Sequence, residues 1–218
     1  TPLPEIYVGV PMPRIVRTLA QRLGVPAETL LREGRFSRFA ARTYARDTYP
    51  RRRAITEGNV RAAIGEMTDY LVRSEHDGRF DYLFDARAGR PYGIAYYSLP
   101  RHAGTTYFLG QSARLLGRGD ARAAAERAFS WMLRFRTVSC GPPGHFCVVE
   151  GTSGDVGATS LAVVAGTELA RTVGLAPLRQ VLDGYGAFLL SQQRADGEMQ
   201  HDFDLANGRP VDVQYLYY

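Results

Sequence analysis

Residues 77–97, DGRFDYLFDARAGRPYGIAYY, return at residues 196–216 as DGEMQHDFDLANGRPVDVQYL, and this repeat decides the fold. The offset is 119 residues throughout, and 8 of the 21 paired positions are identical. Self-similarity at a fixed offset indicates one structural unit that the chain uses more than once. The two copies therefore predict how the neighbouring segments fold.

Each copy predicts a helix end, a short β-hairpin and a new helix. Asp-Gly is a turn signal, the aromatic residues after it alternate as in a strand, and Gly-Arg-Pro predicts the hairpin turn. The duplicated aspartates predict structural roles, because one active site needs no second copy: Asp77, Asp85, Asp196 and Asp204.

Apolar periodicity predicts helices between and around the copies. Thr56 and Asp155 stand where N-caps are expected, and the helical stretches fall near 56–76, 103–116, 120–135, 156–173 and 177–193. Interruptions near 79–92, 138–150 and 198–213 predict short β-hairpins. The unit that repeats is thus a helical hairpin of roughly 60 residues.

The segment FLLSQQRADG at 188–197 resembles the aromatic-Leu…Gln…Asp-Gly repeat of terpenoid-cyclase and prenyltransferase-like toroids. Similar helix–Asp-Gly–hairpin units occur in six-hairpin glycosidases and in related epimerases and lyases. The resemblance, over about residues 56–218, implies an all-α fold, an α/α toroid with short β-hairpin insertions. The chain offers too few hairpins to close such a ring. We therefore expect an incomplete toroid that continues beyond residue 218 or is completed by a second subunit.

Charge divides the chain unevenly. All 27 basic residues are Arg, and the net charge of +5 falls within residues 1–75, where Arg51, Arg52 and Arg53 are densest. We predict an N-terminal helical segment at 1–50 and the repeat domain at 51–218. Arginines and aromatics do not interleave on one face, so no nucleic-acid partner is expected. The longest apolar run, 161–166, is far short of the roughly 20 residues that span a bilayer.

Cys140 and Cys147 flank a Gly-Pro-Pro-Gly loop, and three interpretations stay open. They form a disulfide, which would favour an extracytoplasmic location; they are free thiols; or they bind a metal together with His145. Structural zinc needs four ligands, and no second pair is near. No metal is therefore predicted, and since P-loop and dinucleotide fingerprints are absent, no cofactor either.

The strongest candidate site is the stretch from Tyr96 to Thr105, at a predicted helix start. The unperturbed pKa of histidine is near neutral, so His102 suits acid–base catalysis, with Tyr97 sharing the proton transfer. Arg101 and Tyr96 would bind the substrate, the arginine through an anionic group. The alternative is that His102 merely caps and packs.

Two further candidates lie later in the chain. Glu150 and Asp155 can divide acid and base work if their environments differ, although Asp155 is equally an N-cap. His201 replaces Tyr82 of the first copy, and departures from a repeat favour a grafted function. We assign Glu150 and Asp155 as catalytic and His201 as substrate-binding.

These residues support two functions. The first is a carbohydrate-active enzyme, a glycan hydrolase, lyase or epimerase that acts on a glycan or another polymeric substrate at the toroid mouth. The second is a non-catalytic toroid that binds a peptide or protein partner in a larger biosynthetic assembly.

Overall fold

The computed structural model describes residues 12–34, 55–85, 87–91 and 97–211. The chain divides into two compact units, residues 1–51 and 52–218. The predicted domains, 1–50 and 51–218, stay a prediction, because their boundary lies outside the described residues.

In the described part of the first unit, residues 12–34, two helices pack on each other: α1 (Met12–Leu23) and α2 (Ala27–Glu33). Gly24 ends α1 at φ 66°, a left-handed conformation that glycine adopts without strain. Val16 and Ala20, four residues apart on one face of α1, are buried.

The second unit is built on five described helices: α3 (Glu57–Arg73), α4 (Leu99–Leu116), α5 (Gly119–Arg136), α6 (Val156–Val173) and α7 (Arg179–Ser191). Both predicted N-caps are confirmed. The Thr56 hydroxyl accepts from the Asn59 N–H at 3.2 Å, and the Asp155 carboxylate accepts from the Ala158 N–H at 2.6 Å.

Helices α4 and α6 form the centre of this unit and run in the same direction. At one end, the N–H of Leu99, the first residue of α4, donates to Glu150, five residues before Asp155 caps α6. At the other end, Arg114 Nε donates to the buried Glu168 at 2.8 Å. The two helices approach closely at Gly110 of α4, where an added Cβ would lie 3.2 Å from Glu168 Cγ of α6.

The connections between helices carry nine described strands: β1 (Glu75–His76), β2 (Arg79–Phe80), β3 (Phe84–Asp85), β4 (Arg90–Pro91), β5 (Thr137–Ser139), β6 (Phe146–Glu150), β7 (Ser153–Asp155), β8 (Asp202–Asp204) and β9 (Arg209–Val211). Strands β1–β2 and β3–β4 are separate antiparallel hairpins. Strands β5 to β9 form one antiparallel sheet in sequence order.

The prediction of an all-α toroid with short hairpins is wrong, because the described fold is a mixed α/β architecture. Strands do lie near all three predicted interruptions, but two of them merge. The register Gly154↔Phe203 joins β7 to β8 across almost fifty residues of sequence. Pairing between distant segments leaves no local periodicity, so the sequence pattern could indicate the hairpins and not the sheet.

Cys140 and Cys147 form a disulfide between the end of β5 and β6, with 5.8 Å between their Cα atoms. Both are buried beside Phe188 and Phe203. Of the three interpretations that the sequence left open, the structure confirms the disulfide. None of the described helices is long and apolar enough to cross a membrane.

Candidate functional site

Three connections meet where α4 and α6 begin, and we call this region the polar end. They are the residues between α3 and α4, those between α5 and α6, and those after α7. The Leu99–Glu150 hydrogen bond joins the first two, and the β7–β8 pairing joins the second to the third. Each predicted site residue that the structure describes lies in these connections or in the first turn of α4.

Tyr97 and His102 are hydrogen-bonded to each other. The Tyr97 hydroxyl lies 2.7 Å from His102 Nδ1 and accepts from the Phe80 N–H at 2.9 Å. His102 Nε2 lies 2.9 Å from the Ala128 carbonyl oxygen, which can only accept. The proton of neutral His102 therefore sits on Nε2, and the Tyr97 hydroxyl donates to Nδ1.

Burial sets the protonation of this pair. His102 is only 2 % exposed, and burial lowers its pKa to about 4. Burial likewise raises the pKa of Tyr97 to about 12. At neutral pH the pair is uncharged. The predicted contact between His102 and Tyr97 is confirmed, whereas burial moves the pKa of His102 well below the near-neutral value of a free histidine, on which its candidacy for acid–base catalysis rested.

A cavity of about 440 Å³ lies between α3 and the start of α4. Its wall contains three tyrosines, Tyr70, Tyr82 and Tyr97, together with Arg101 and His102. The Arg101 guanidinium stacks over Tyr82, 5.1 Å from the ring centroid, and donates to the Tyr82 hydroxyl. Arg101 thus lines the cavity with one of its N–H groups engaged.

Tyr96, the other predicted substrate-binding tyrosine, lies outside the described residues. The cavity that Tyr97 and Arg101 line joins aromatic faces to a cation. Such a surface suits a polar ligand with apolar ring faces, since aromatic rings cover C–H groups and the arginine binds oxygen.

Glu150 ends β6 and Asp155 caps α6, close enough for the charge of Asp155 to act on the Glu150 carboxyl group. Partial burial, followed by the charge of Asp155, raises the pKa of Glu150. Burial, followed by the charge of Asp202 on the paired strand, raises the pKa of Asp155. Their hydrogen bonds differ among the described residues, because Asp155 accepts from two backbone N–H groups of α6, whereas Glu150 accepts from the N–H of Leu99.

The structure therefore gives Asp155 the capping role that the sequence also allowed, and its catalytic role stays a prediction. Glu150 is exposed, and among the described residues its carboxylate accepts fewer backbone hydrogen bonds than that of Asp155. His201 is exposed and close enough to Asp155 for its charge to act on that carboxylate. The sequence thus named residues of two connections that the fold does bring together.

Arg136 and Trp131 are polar-end residues that the sequence did not identify. Arg136 ends α5, and its guanidinium carbon lies 5.6 Å from the centroid of the Trp131 ring. Trp131 in turn contacts Tyr97 and His102, with ring centroids 5.8 and 5.1 Å apart. The helical spacing of apolar residues in the sequence predicted that Trp131 lies on an apolar helix face. That spacing gave no indication of a site at Trp131 or Arg136.

No family model matches the chain, and no curated protein matches it. A solved structure, that of a sugar epimerase from a ruminal bacterium, is similar in fold, with a TM-score of 0.56 and 13 % sequence identity. The similarity covers 71 % of this chain and 42 % of the epimerase chain, so this chain spans less than half of that protein. At this identity the similarity concerns the fold.

Proposed function

We propose that the polar end is the active site of a carbohydrate-processing enzyme that moves a proton at a sugar carbon, as an epimerase does. The observation that carries this proposal is the Tyr97–His102 pair, in which the tyrosine hydroxyl donates to the imidazole and both residues line a cavity of about 440 Å³. The fold similarity to a sugar epimerase supports it.

The direction of the hydrogen bonds suits removal of a proton. The oxygen of Tyr97 takes the proton from a carbon next to a carbonyl group, while the Tyr97 hydroxyl proton moves to His102 Nδ1. The electron pair of the C–H bond moves onto the carbonyl oxygen as an enolate. Ala128, which accepts from Nε2, stabilises the imidazolium that results. Since burial makes His102 a weak base, the imidazolium returns its proton to the Tyr97 oxygen as Tyr97 releases the abstracted proton to solvent.

Glu150 suits the return of a proton. Its raised pKa keeps the carboxyl group protonated to higher pH than usual, as a general acid requires. It gives its proton to the opposite face of the carbon, and the enolate electrons re-form the C–H bond. The configuration inverts with no net oxidation, and solvent resets both groups.

The test is deuterium incorporation from D₂O into the sugar carbon, followed by NMR. The substrates are neutral oligosaccharides and uronic-acid oligosaccharides, each with a free reducing end that supplies a carbonyl group. We expect exchange with the wild-type chain and at least a 100-fold loss in Tyr97→Phe, since acid–base groups contribute about 10²–10⁴-fold.

Tyr107→Phe is the matched control, because Tyr107 lies on α4, which Tyr97 closely precedes, and bonds only Gln111 among the described residues. It should retain full exchange. Tyr97→Phe also removes two hydrogen bonds, so its melting temperature is measured in parallel, and His102→Gln provides a second variant. Sugar binding without exchange in the wild type, or full exchange in Tyr97→Phe, would overturn the proposal.

A further inference from the structure

The described arginines differ in how their charge is neutralised. Two of them, Arg118 and Arg136, are half-buried, and the others whose side chains are described are exposed. Arg118 is paired with Asp69 at 2.6 Å and with Asp120 at 2.5 Å. Arg136 has no carboxylate within ion-pair distance among the described residues.

The guanidinium of Arg136 is also short of hydrogen-bond acceptors. Its Nε is buried, and no described residue accepts from it. A half-buried cation that lacks an acceptor is costly, because folding removes water without supplying a replacement. The buried carboxylates of the unit are paired instead: Glu75 binds Arg127, and Glu168 binds Arg114.

The position of Arg136 relates this cation to the proposed chemistry. It stacks on Trp131, whose ring contacts both Tyr97 and His102. Its charge also reaches Tyr97 and Glu150, whose pKa values are raised by burial and partly lowered by Arg136. Arg136 is therefore close enough to both groups to which we assign the proton transfers for its charge to act on each.

We propose that Arg136 binds the carboxylate of the substrate, so that the sugar is a uronic acid. This inference rests on the proposed function and names its substrate class. Arginine presents a planar fork that matches a carboxylate, and stacking on Trp131 holds that fork in place. Arg101, which the sequence favoured for the anionic group, already donates to Tyr82.

The experiment measures binding of uronic-acid tetrasaccharides and of their carboxyl-reduced forms, which differ only in the charged group. Glucuronate-, galacturonate- and mannuronate-containing tetrasaccharides are titrated calorimetrically into the full chain. We expect at least one acid form to bind roughly 10-fold or more tightly than its reduced form, as a charge-assisted hydrogen bond provides. Arg136→Gln should abolish that preference.

Arg134→Gln is the matched control, because Arg134 lies on the same helix and also stacks on an aromatic ring, that of Phe135, but is exposed. It should keep the preference. Arg136→Lys, which keeps the charge without the fork, should keep part of it and serves if Arg136→Gln does not fold.

The outcomes separate the two proposals. Equal binding of acid and reduced forms, or an unchanged preference in Arg136→Gln, overturns the carboxylate inference and leaves the proposed function standing. Binding of no sugar in either form overturns both.

Discussion

The two copies of the repeat adopt the same local turn and very different surroundings. Their hairpins share one register, Asp85↔Arg90 in the first copy and Asp204↔Arg209 in the second. In the first copy the hairpin β3–β4 stands alone, and in the second β8–β9 extends a five-stranded sheet. Phe84 is consequently 60 % exposed, while Phe203 at the equivalent position is 5 % exposed.

The preceding Asp-Gly turns differ by one residue of register. Glu75 pairs with Phe80 in the first copy, whereas the bridge in the second joins Gln193 to Met199. In the first copy Asp77 and Gly78 both have positive φ, 52° and 82°, and Glu75 accepts from the Gly78 N–H at 2.6 Å. Arg194 stands in place of Glu75 in the second copy and cannot accept.

This difference shows that short-range interactions make the hairpin and long-range packing decides what it does. Asp85 accepts from the backbone N–H groups of the residues two and three positions later, and Asp204 does the same. Such side-chain turns need no tertiary partner. Joining a sheet needs an open strand edge, and only β7 offers one to the second copy.

The largest effect is expected from deleting the two equivalent phenylalanine rings. Phe203→Ala should lower the free energy of unfolding by about 3–5 kcal/mol, because it leaves a cavity beside Phe188 and the disulfide. Phe84→Ala should cost less than about 1 kcal/mol, since its ring is already in water. Urea denaturation of both variants measures this, and equal losses would contradict the contrast between the copies.

A second test compares the two turn glycines. Both have positive φ, 82° at Gly78 and 90° at Gly197, so alanine strains both turns. At Gly78 the added Cβ would also lie 2.5 Å from Trp131 Cβ and 2.8 Å from the Arg127 carbonyl oxygen.

Gly78→Ala should therefore cost about 2–4 kcal/mol and Gly197→Ala about 1 kcal/mol. Thermal unfolding of the two variants measures the difference. If Gly197→Ala proved the more harmful, packing of the first turn on α5 would not be what distinguishes the copies.

The smallest effect concerns the pH dependence of stability. It should differ between the copies because Phe80 and Met199 bond to different residues. Phe80 bonds to Tyr97 and thus depends on neutral His102, while its equivalent, Met199, pairs with Gln193. The pKa of His102 falls from 6.5 to about 4 on folding, so the unfolded chain binds the proton more tightly. Stability is therefore full above pH 6.5 and decreases as the pH falls toward 4.

Between pH 7 and pH 5 the loss attributable to His102 should be about 2 kcal/mol. Hydrogen exchange should show opening at Phe80 and none at Met199. The raised pKa values of Glu150 and Asp155 act in the opposite direction, so the quantity to compare is the pH dependence of wild type minus that of His102→Gln. An identical pH dependence in the two proteins would contradict this assignment.

The sequence predicted well whatever depends on neighbours along the chain. The caps at Thr56 and Asp155, and the duplicated turns at Asp85 and Asp204, are confirmed in detail because donor and acceptor lie two to three residues apart. The Tyr97–His102 contact could be predicted for the same reason, because the two residues are five positions apart and both lie at the start of one helix.

What the sequence could not predict depends on residues brought together from afar. His102 donates to Ala128, 26 positions away, and this burial, invisible in the motif, removes its titration from neutral pH. Arg136 became a candidate only when the fold placed it on Trp131 with no described residue accepting from its Nε.

By itself, then, the sequence determined the helices, their caps and two copies of one hairpin, because hydrogen bonds between near neighbours form in any context. Tertiary structure alone decided that the second hairpin joins β7, that Phe84 stays in water and Phe203 does not, and that Glu150 lies beside Leu99. Those choices follow from burial of apolar surface and from pairing of free strand edges, and both act between segments distant in the chain.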